Sequence, residues 1–132
     1  MLFKKIVFII FCFSFSLMYA TDSVLALDTL IKERTISPSH AKLFSKVLTQ
    51  DNEGRIKPFH TLSSEILRKV SRKSSVYDQN PAQVVLGMSI DPLLWQMLPI
   101  IKVSHSDILN LIKQEGSHVS FISFFNAQNT YV

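Results

Sequence analysis

The chain contains few of the residues on which crosslinks and thiol-bound metals depend. Its 132 residues include one cysteine, Cys12, together with three glycines and five prolines. A disulfide needs two cysteines, and the common structural zinc sites use several, so neither is expected. The chain is 18% charged and 47% hydrophobic, which excludes a disordered tail, and its low glycine content excludes collagen-like repeats. We expect one small folded domain.

Net charge is also low once the N-terminus is set aside. The formal net charge is +4, from 14 Lys and Arg residues against 10 Asp and Glu residues. Lys4 and Lys5 precede all ten acidic residues, so the rest of the chain carries twelve basic and ten acidic side chains. Nucleic-acid binding normally requires a strongly basic surface, and we therefore predict no nucleic-acid partner.

The sequence lacks the motifs that would anchor a catalytic or metal site. Its four histidines, His40, His60, His105 and His118, have no spacing that presents two rings to one zinc ion. There is no Gly-x-Ser-x-Gly elbow and no glycine-rich phosphate loop. We therefore predict no catalytic residue, no metal site and no cofactor in this chain, and we predict that it is not an enzyme.

The N-terminus has the pattern of an export signal. Lys4 and Lys5 precede the apolar stretch 6–20, and the polar residues 21–23 follow it. This order matches a secretory signal peptide, and the stretch is short for a membrane-spanning helix. We predict that residues 1–20 are a signal peptide or an uncleaved anchor and supply the only membrane association. The rest is then exported to the periplasm or to the outer face of the inner membrane.

Capping residues and prolines divide the exported part into short helices. Residues 21–36 are predicted to be a linker or short helix, and 37–132 a helical domain. The first helix begins at Pro38 and is predicted to reach Gln50. The predicted helix starts are Ser37 with Pro38, Thr61, Asn80 with Pro81, Asp91 with Pro92, and a capping box from Ser104 to Asp107. We predict a mainly α fold, an irregular bundle of about five short helices after the N-terminal apolar segment.

The segments between these helices have their own signals. Gly54 is the expected positive-φ residue of a turn, and Pro58 biases Lys57 toward an extended conformation. The helix after Thr61 is predicted to bury Leu62, Ile66, Leu67 and Val70. Residues 100–103 are predicted to be an extended connector without a partner strand.

The C-terminal segment carries Phe121, Phe124, Phe125 and Tyr131. We expect these aromatic residues either to dock on the preceding helices or to belong to a larger domain of which this chain is a truncated part.

Two groups of residues allow more than one interpretation. The basic run 68–73 is typical of a solvated helix end, and contact with lipid headgroups or a partner is the alternative. Trp95, Met88 and Met97 are typical of a packed core, and a hydrophobic ligand groove is the alternative.

One block of sequence resembles a known family. Residues 51–58 (DNEGRIKP) and 61–69 (TLSSEILRK), followed by 83–88 (QVVLGM), then Trp95 and 99–102 (PIIK), are similar to System II cytochrome c biogenesis proteins of the fused CcsB–CcsA (ResB/ResC) type. In that family the block lies in the extracytoplasmic segment between two membrane parts. The resemblance covers roughly residues 36–108.

The resemblance implies a role in moving haem and attaching it to the CxxCH thiols of apocytochrome c. The tryptophan-rich segment and the membrane-helix histidines that handle haem in the family are absent here, so no haem-binding residue is carried over. The matched residues instead suggest an interaction or structural motif, in which Gly54 sets the turn. Its members are Asp51, Gly54, Arg55, Lys57, Pro58, Glu65, Arg68 and Lys69.

Within this motif the resemblance suggests specific contacts. Arg55 and Lys57 are expected to satisfy backbone or carboxylate acceptors around the turn, and Glu65 to pair with Arg68 or Lys69 one helical turn away. The expected function is a non-catalytic periplasmic domain that contacts a membrane-embedded CcsA/ResC-type subunit or apocytochrome c, with haem handled by the wider system. The alternative is a small secreted helical interaction module unrelated to haem.

Overall fold

The computed structural model describes residues 29–132. The predicted signal peptide or anchor, residues 1–20, and the first part of the predicted linker, 21–28, lie outside the described residues. Residues 29–33 are helical. The chain divides into two compact units between Arg34 and Thr35, and the architecture below is that of the second unit.

Residues 35–132 form five α-helices, two small antiparallel sheets and one 3-10 helix. The elements are α1 (Pro38–Phe44), β1 (Leu48–Gln50), β2 (Ile56–Pro58), α2 (Phe59–Ser71), α3 (Pro81–Ile90), α4 (Pro92–Met97), β3 (Ile101–Lys102), α5 (Ser106–Leu111), β4 (His118–Val119) and the 3-10 helix Phe121–Phe124. The predicted mainly α fold is confirmed. Within residues 29–132, no helix has both the length and the hydrophobicity that crossing a bilayer requires.

The start of α3 follows the predicted capping pattern. Asn80 Oδ1 accepts a hydrogen bond from Gln83 N at 3.0 Å, and Gln83 Oε1 accepts one from Asn80 N at 3.1 Å. This capping box, with Pro81 in the first turn, satisfies backbone donors that a helix leaves unpaired at its N-terminus. The local sequence therefore determines where α3 begins.

Helix α3 is the centre of the unit. Residues 82–87 are all buried, and α3 packs against α1, α2 and α4. Ala82, Val85 and Leu86 form one core cluster with Ala41 of α1 and Phe59 of α2. A helix that is apolar on every side is stable only when neighbours cover it, as they do here.

The prediction of one helix from Pro38 to Gln50 is wrong for the second half of that range. Helix α1 ends at Phe44, and β1 pairs antiparallel with β2, with Thr49 opposite Lys57. Leu48, predicted to lie on the apolar face of the helix, is 67% exposed. Pairing across the Gly54 turn is a tertiary contact, and such contacts override local helical spacing.

Helix α2 begins earlier than predicted and is not capped by Thr61. It starts at Phe59, directly after Pro58, and no side chain caps it. Instead, Phe59 N donates to Val47 O at 2.8 Å and His60 N to Ser45 O at 3.2 Å. The segment before β1 therefore satisfies the first amides of α2.

The buried face of α2 is also rotated relative to the prediction. It consists of Phe59, Ser63, Leu67 and Ser71, spaced four residues apart. The predicted residue Leu67 is fully buried, whereas Leu62, Ile66 and Val70 are half-buried. The two small serines on the buried face allow close packing but give no hydrophobic signal in the sequence.

Residues 100–103 were expected to lack a partner strand, and this expectation is wrong. Ile101 pairs with Val119 and Lys102 with His118 in the β3–β4 sheet. Val103 and Val119 form a second core cluster with Ile112, which follows α5. β4 has only two residues, so its own sequence carries almost no strand pattern.

The predicted capping box at α5 is replaced by a different cap. His105 is the N-cap, and its Nδ1 accepts a hydrogen bond from Asp107 N at 3.3 Å. At the C-terminal end, the 3-10 helix packs on α4, which corresponds to the docking alternative for the terminal aromatic residues.

Trp95 of α4 lies against the backbone of α3. It is 6% exposed, in agreement with a core residue. A Cβ atom at Gly87 would lie 2.6 Å from Trp95 Nε1 and 2.9 Å from Cε2. Gly87 is therefore needed for this approach, since any larger residue would displace the indole.

We expect Gly87→Ala to destabilise the protein by about 1–2 kcal/mol. Alanine favours the helix by up to about 1 kcal/mol, but overpacking against Trp95 costs about 1–3 kcal/mol. Urea unfolding followed by the emission of Trp95, the single tryptophan, measures the change. Gly116→Ala is the matched control, because its Cβ would have its nearest contact at 3.7 Å. Equal stability of the two variants would contradict the close-contact interpretation.

Candidate functional site

The candidate site is built on the turn between β1 and β2. Gly54 adopts φ 83°, a conformation that glycine tolerates best. Its N–H donates to Asp51 O at 3.0 Å, and Asp51 N donates to Arg55 O at 3.0 Å. Gln50 Nε2 donates to Gly54 O at 3.1 Å, which ties the strand end to the turn. The turn is therefore closed by its own backbone and by one side chain.

The Asp51 carboxylate is the centre of this turn. Its Oδ1 accepts hydrogen bonds from Glu53 N and Arg55 N, both at 2.9 Å. Its Oδ2 lies 3.0 Å from Arg55 Nε and 2.9 Å from Lys57 Nζ. The Asp51 side chain is only 8% exposed, so these four donors replace most of its water contacts.

Lys57 connects the turn to helix α2. Its Nζ lies 2.9 Å from Asp51 Oδ2 and 2.8 Å from Glu65 Oε2, with a further hydrogen bond of 3.1 Å to Glu65 Oε1. The Lys57 side chain is 12% exposed. One ammonium group therefore joins two carboxylates from different elements. We call Asp51, Lys57 and Glu65 the ion bridge.

These contacts favour the charged form of every member of the ion bridge. The hydrogen bond from Lys57, helped by the Arg55 amide, holds the pKa of Asp51 far below its usual range despite burial. The hydrogen bond from Lys57 also lowers the pKa of Glu65. Hydrogen bonds to Glu65 and Asp51 raise the pKa of Lys57. The ion bridge therefore keeps its charges throughout the neutral pH range.

The structure brings most of the predicted motif together. Arg55 and Lys57 contact carboxylates at the turn, as expected. Glu65 was expected to pair with Arg68 or Lys69, but it pairs with Lys57. The reason is that Lys57, on strand β2, lies with its Nζ beside Glu65 in a partly buried position, whereas residues 68 and 69 are exposed.

Pro58, Arg68 and Lys69 lie at the margins of the site. Pro58 pairs with Leu48 at the end of β2 and immediately precedes α2. Lys69 lines a groove of about 260 Å³ beside the turn, and Arg68 does not. The groove is also lined by Leu62 and Ile66 of α2. It thus combines an apolar wall with a charged wall.

Several residues of the site were not predicted. Glu53 Oε2 lies 3.0 Å from Arg55 Nη2, and Gln50 holds the carbonyl of Gly54. An Asp in a turn that also contains glycine, as Asp51 and Gly54 do here, is the sequence signal of an Asx-type turn, in which the Asp side chain accepts hydrogen bonds from following amides. This signal was present in the sequence. No local signal could show that Leu62 and Ile66 face the turn, because that depends on how α2 packs.

The histidines do not form a metal site. Within residues 29–132, no group of three or more His, Cys, Asp or Glu side chains is placed to hold a metal ion. His118 has a structural contact instead, since its Nε2 donates to Ser71 O at 3.0 Å at the end of α2.

Comparison with known proteins gives one informative similarity. No family model matches the chain. The chain is 37% identical over 92 residues to Protein NrfI of Wolinella succinogenes. The similar segment is 69% of this chain but 10% of NrfI, so the chain spans about a tenth of the length of that relative.

We expect Asp51→Asn to lower the melting temperature at pH 7 by several degrees. Because the folded state depresses the pKa of Asp51, its stabilisation is present above the ordinary aspartate pKa of about 4 and is lost as pH falls further. The difference between variant and wild type should therefore be largest between about pH 5 and 7 and shrink below about pH 3. Circular dichroism melts across this range measure it.

Glu53→Gln is the control for this experiment. Glu53 also contacts Arg55, but its side chain is 72% exposed, so its removal should change the melting temperature little. A wild-type melting temperature for Asp51→Asn at pH 7 would contradict the assigned role of the carboxylate.

Proposed function

We propose that this chain acts in cytochrome c biogenesis, as part of an apparatus that delivers haem and attaches it to apocytochrome c. The observation that carries the proposal is the 37% identity to NrfI, which covers 69% of the chain and supports a link to cytochrome c biogenesis. The resemblance of residues 51–69 to the extracytoplasmic segment of fused CcsB–CcsA proteins supports the finer assignment to a System II apparatus.

The similarity to NrfI corrects one expectation. The chain was predicted not to be an enzyme, because it lacks catalytic motifs. NrfI is a haem lyase-type enzyme component, and this contradicts that prediction. A segment without a recognisable catalytic motif can still take part in a reaction. The other reacting groups are then supplied by the rest of a larger assembly.

The geometry supports a role in positioning a contact surface. The ion bridge fixes the turn against α2 and leaves Arg55 with a side chain that is 62% exposed. Four exposed cations lie at the C-terminal end of the same helix, which we call the basic end of α2: Arg68, Lys69, Arg72 and Lys73. Since a rigid, exposed and charged surface suits protein recognition, we propose contact with a membrane-embedded CcsA/ResC-type subunit or with apocytochrome c.

Location outside the cytoplasm is part of the same proposal. The charged and apolar pattern of residues 1–20 supports export, and haem attachment to apocytochrome c takes place on the outer side in the family that the sequence resembles. We place residues 37–132 in the periplasm or on the outer face of the inner membrane, with membrane association through residues 1–20.

Deleting the gene should abolish or strongly reduce c-type cytochromes. Haem staining of membrane and periplasmic proteins after denaturing electrophoresis measures covalently attached haem. Complementation with wild type should restore it, whereas Arg68→Glu with Lys69→Glu should restore it only in part while the protein remains as abundant as wild type. Lys46→Glu, an exposed cation outside the proposed surface, should complement fully. Unchanged covalent haem in the deletion strain would favour an interaction module unrelated to haem.

Export can be measured separately. Alkaline phosphatase, which is active only outside the cytoplasm, should be active when fused after residue 36. Changing Lys4 and Lys5 to Glu should reduce this activity, because the positive residues orient an export signal. An inactive fusion with normal protein levels would place the domain in the cytoplasm and contradict the proposal.

A further inference from the structure

A second cavity lies on a part of α2 away from the turn. It has a volume of about 240 Å³ and shares no lining residue with the groove at the ion bridge. Its apolar lining includes Val70 of α2, Met88 of α3, Trp95 of α4 and Phe121 of the 3-10 helix. We call it the Trp95 cavity. A space of this size admits one apolar side chain but is small for most organic ligands.

One side-chain amide lies among the residues that line the cavity. Gln96 lines the Trp95 cavity and is half-buried, and its side chain makes no hydrogen bond to another residue in the part of the chain that the structure describes. A half-buried amide in this state has both donor and acceptor capacity left. It can therefore bond to the backbone of a polypeptide whose side chain enters the cavity.

The charged residues on the α2 side of the cavity are basic, and Asp91 adjoins the lining residue Pro92 on the α4 side. No acidic residue lines the cavity, and Val70 lies within the basic end of α2. Among residues 29–132, none of the four cations of the basic end forms a salt bridge. Lys102 follows the lining residue Ile101. The residue opposite Lys102 on β4 is His118, which bonds to Ser71 O, at the end of α2, at 3.0 Å. The strand β3 therefore brings a fifth cation to the same end of α2.

We propose that the Trp95 cavity and the basic end of α2 together bind an acidic polypeptide segment that inserts one apolar side chain. Charge complementarity selects the acidic segment, and the size of the cavity selects a single anchor residue. A bilayer is a poorer match, because a depression lined by residues of five elements accepts a projecting side chain better than a flat lipid surface. The proposal does not depend on the role in cytochrome c biogenesis.

The single tryptophan provides a direct readout of this site. We would titrate the protein with a twelve-residue peptide that carries one central leucine among glutamates, and follow Trp95 emission. Saturable binding is expected, weakened at least about tenfold when salt is raised from about 0.05 M to 0.5 M, since screening removes most of the attraction between exposed charges. The same peptide with serine in place of leucine should bind at least about tenfold more weakly, because burial of the leucine supplies more than one decade of affinity.

Two kinds of variant separate charge from shape. Arg72→Glu with Lys73→Glu should weaken binding about tenfold or more, while Lys46→Glu, a charge reversal elsewhere, should leave it unchanged. Val70→Phe should fill the cavity and abolish the preference for leucine over serine. Circular dichroism must show that each variant remains folded, and Val70→Leu serves as a milder filling variant if Val70→Phe does not fold.

Three outcomes would overturn the proposal. They are equal binding of the leucine and serine peptides, equal weakening by Lys46→Glu, and binding to vesicles of anionic phosphatidylglycerol without binding to the peptide. The last outcome would assign the basic end to a lipid surface. Because the readout is peptide binding by the purified protein, it stands apart from the haem-staining experiment, and failure of one does not imply failure of the other.

Discussion

The ion bridge from Asp51 through Lys57 to Glu65 is the interaction on which the geometry of the candidate site depends. Strands β1 and β2 have three residues each, and an isolated two-stranded sheet is at best marginally stable in water. The outer residues Leu48 and Ile56 are largely exposed, so this sheet gains little from apolar burial on that face. A partly buried ammonium group between two carboxylates adds a side-chain connection from the turn to α2.

The same bridge decides which residues are available for contact. Asp51 and Lys57 use their polar atoms on each other and on the turn, so they position the surface and do not extend from it. Arg55 and the basic end of α2 remain exposed. The arrangement divides the matched sequence block into a part that holds the turn and a part that can meet another molecule.

The sequence predicted the features that depend on neighbouring residues and missed those that depend on distant ones. Neighbouring residues determine three features that the structure shows: the Asn80 cap, the buried α3 and the positive φ of Gly54. β1 was mistaken for helix, and β3 was assigned no partner, since strand pairing joins segments whose patterns are too short to recognise. For the site, the contacts within the turn were predictable, whereas the pairing of Lys57 with Glu65 required knowledge of how β2 meets α2.

The hydrogen bonds from Phe59 and His60 to the carbonyls of Val47 and Ser45 have a consequence for cooperativity. The first turn of α2 has no side-chain cap, so its amides are protected only while the preceding segment is in place. The segment 45–47 and the first turn of α2 should therefore open together as one unit of local unfolding, with amide hydrogen exchange at residues 59 and 60 following the opening of that segment. In this chain the beginning of a helix depends on the segment that joins α1 to β1.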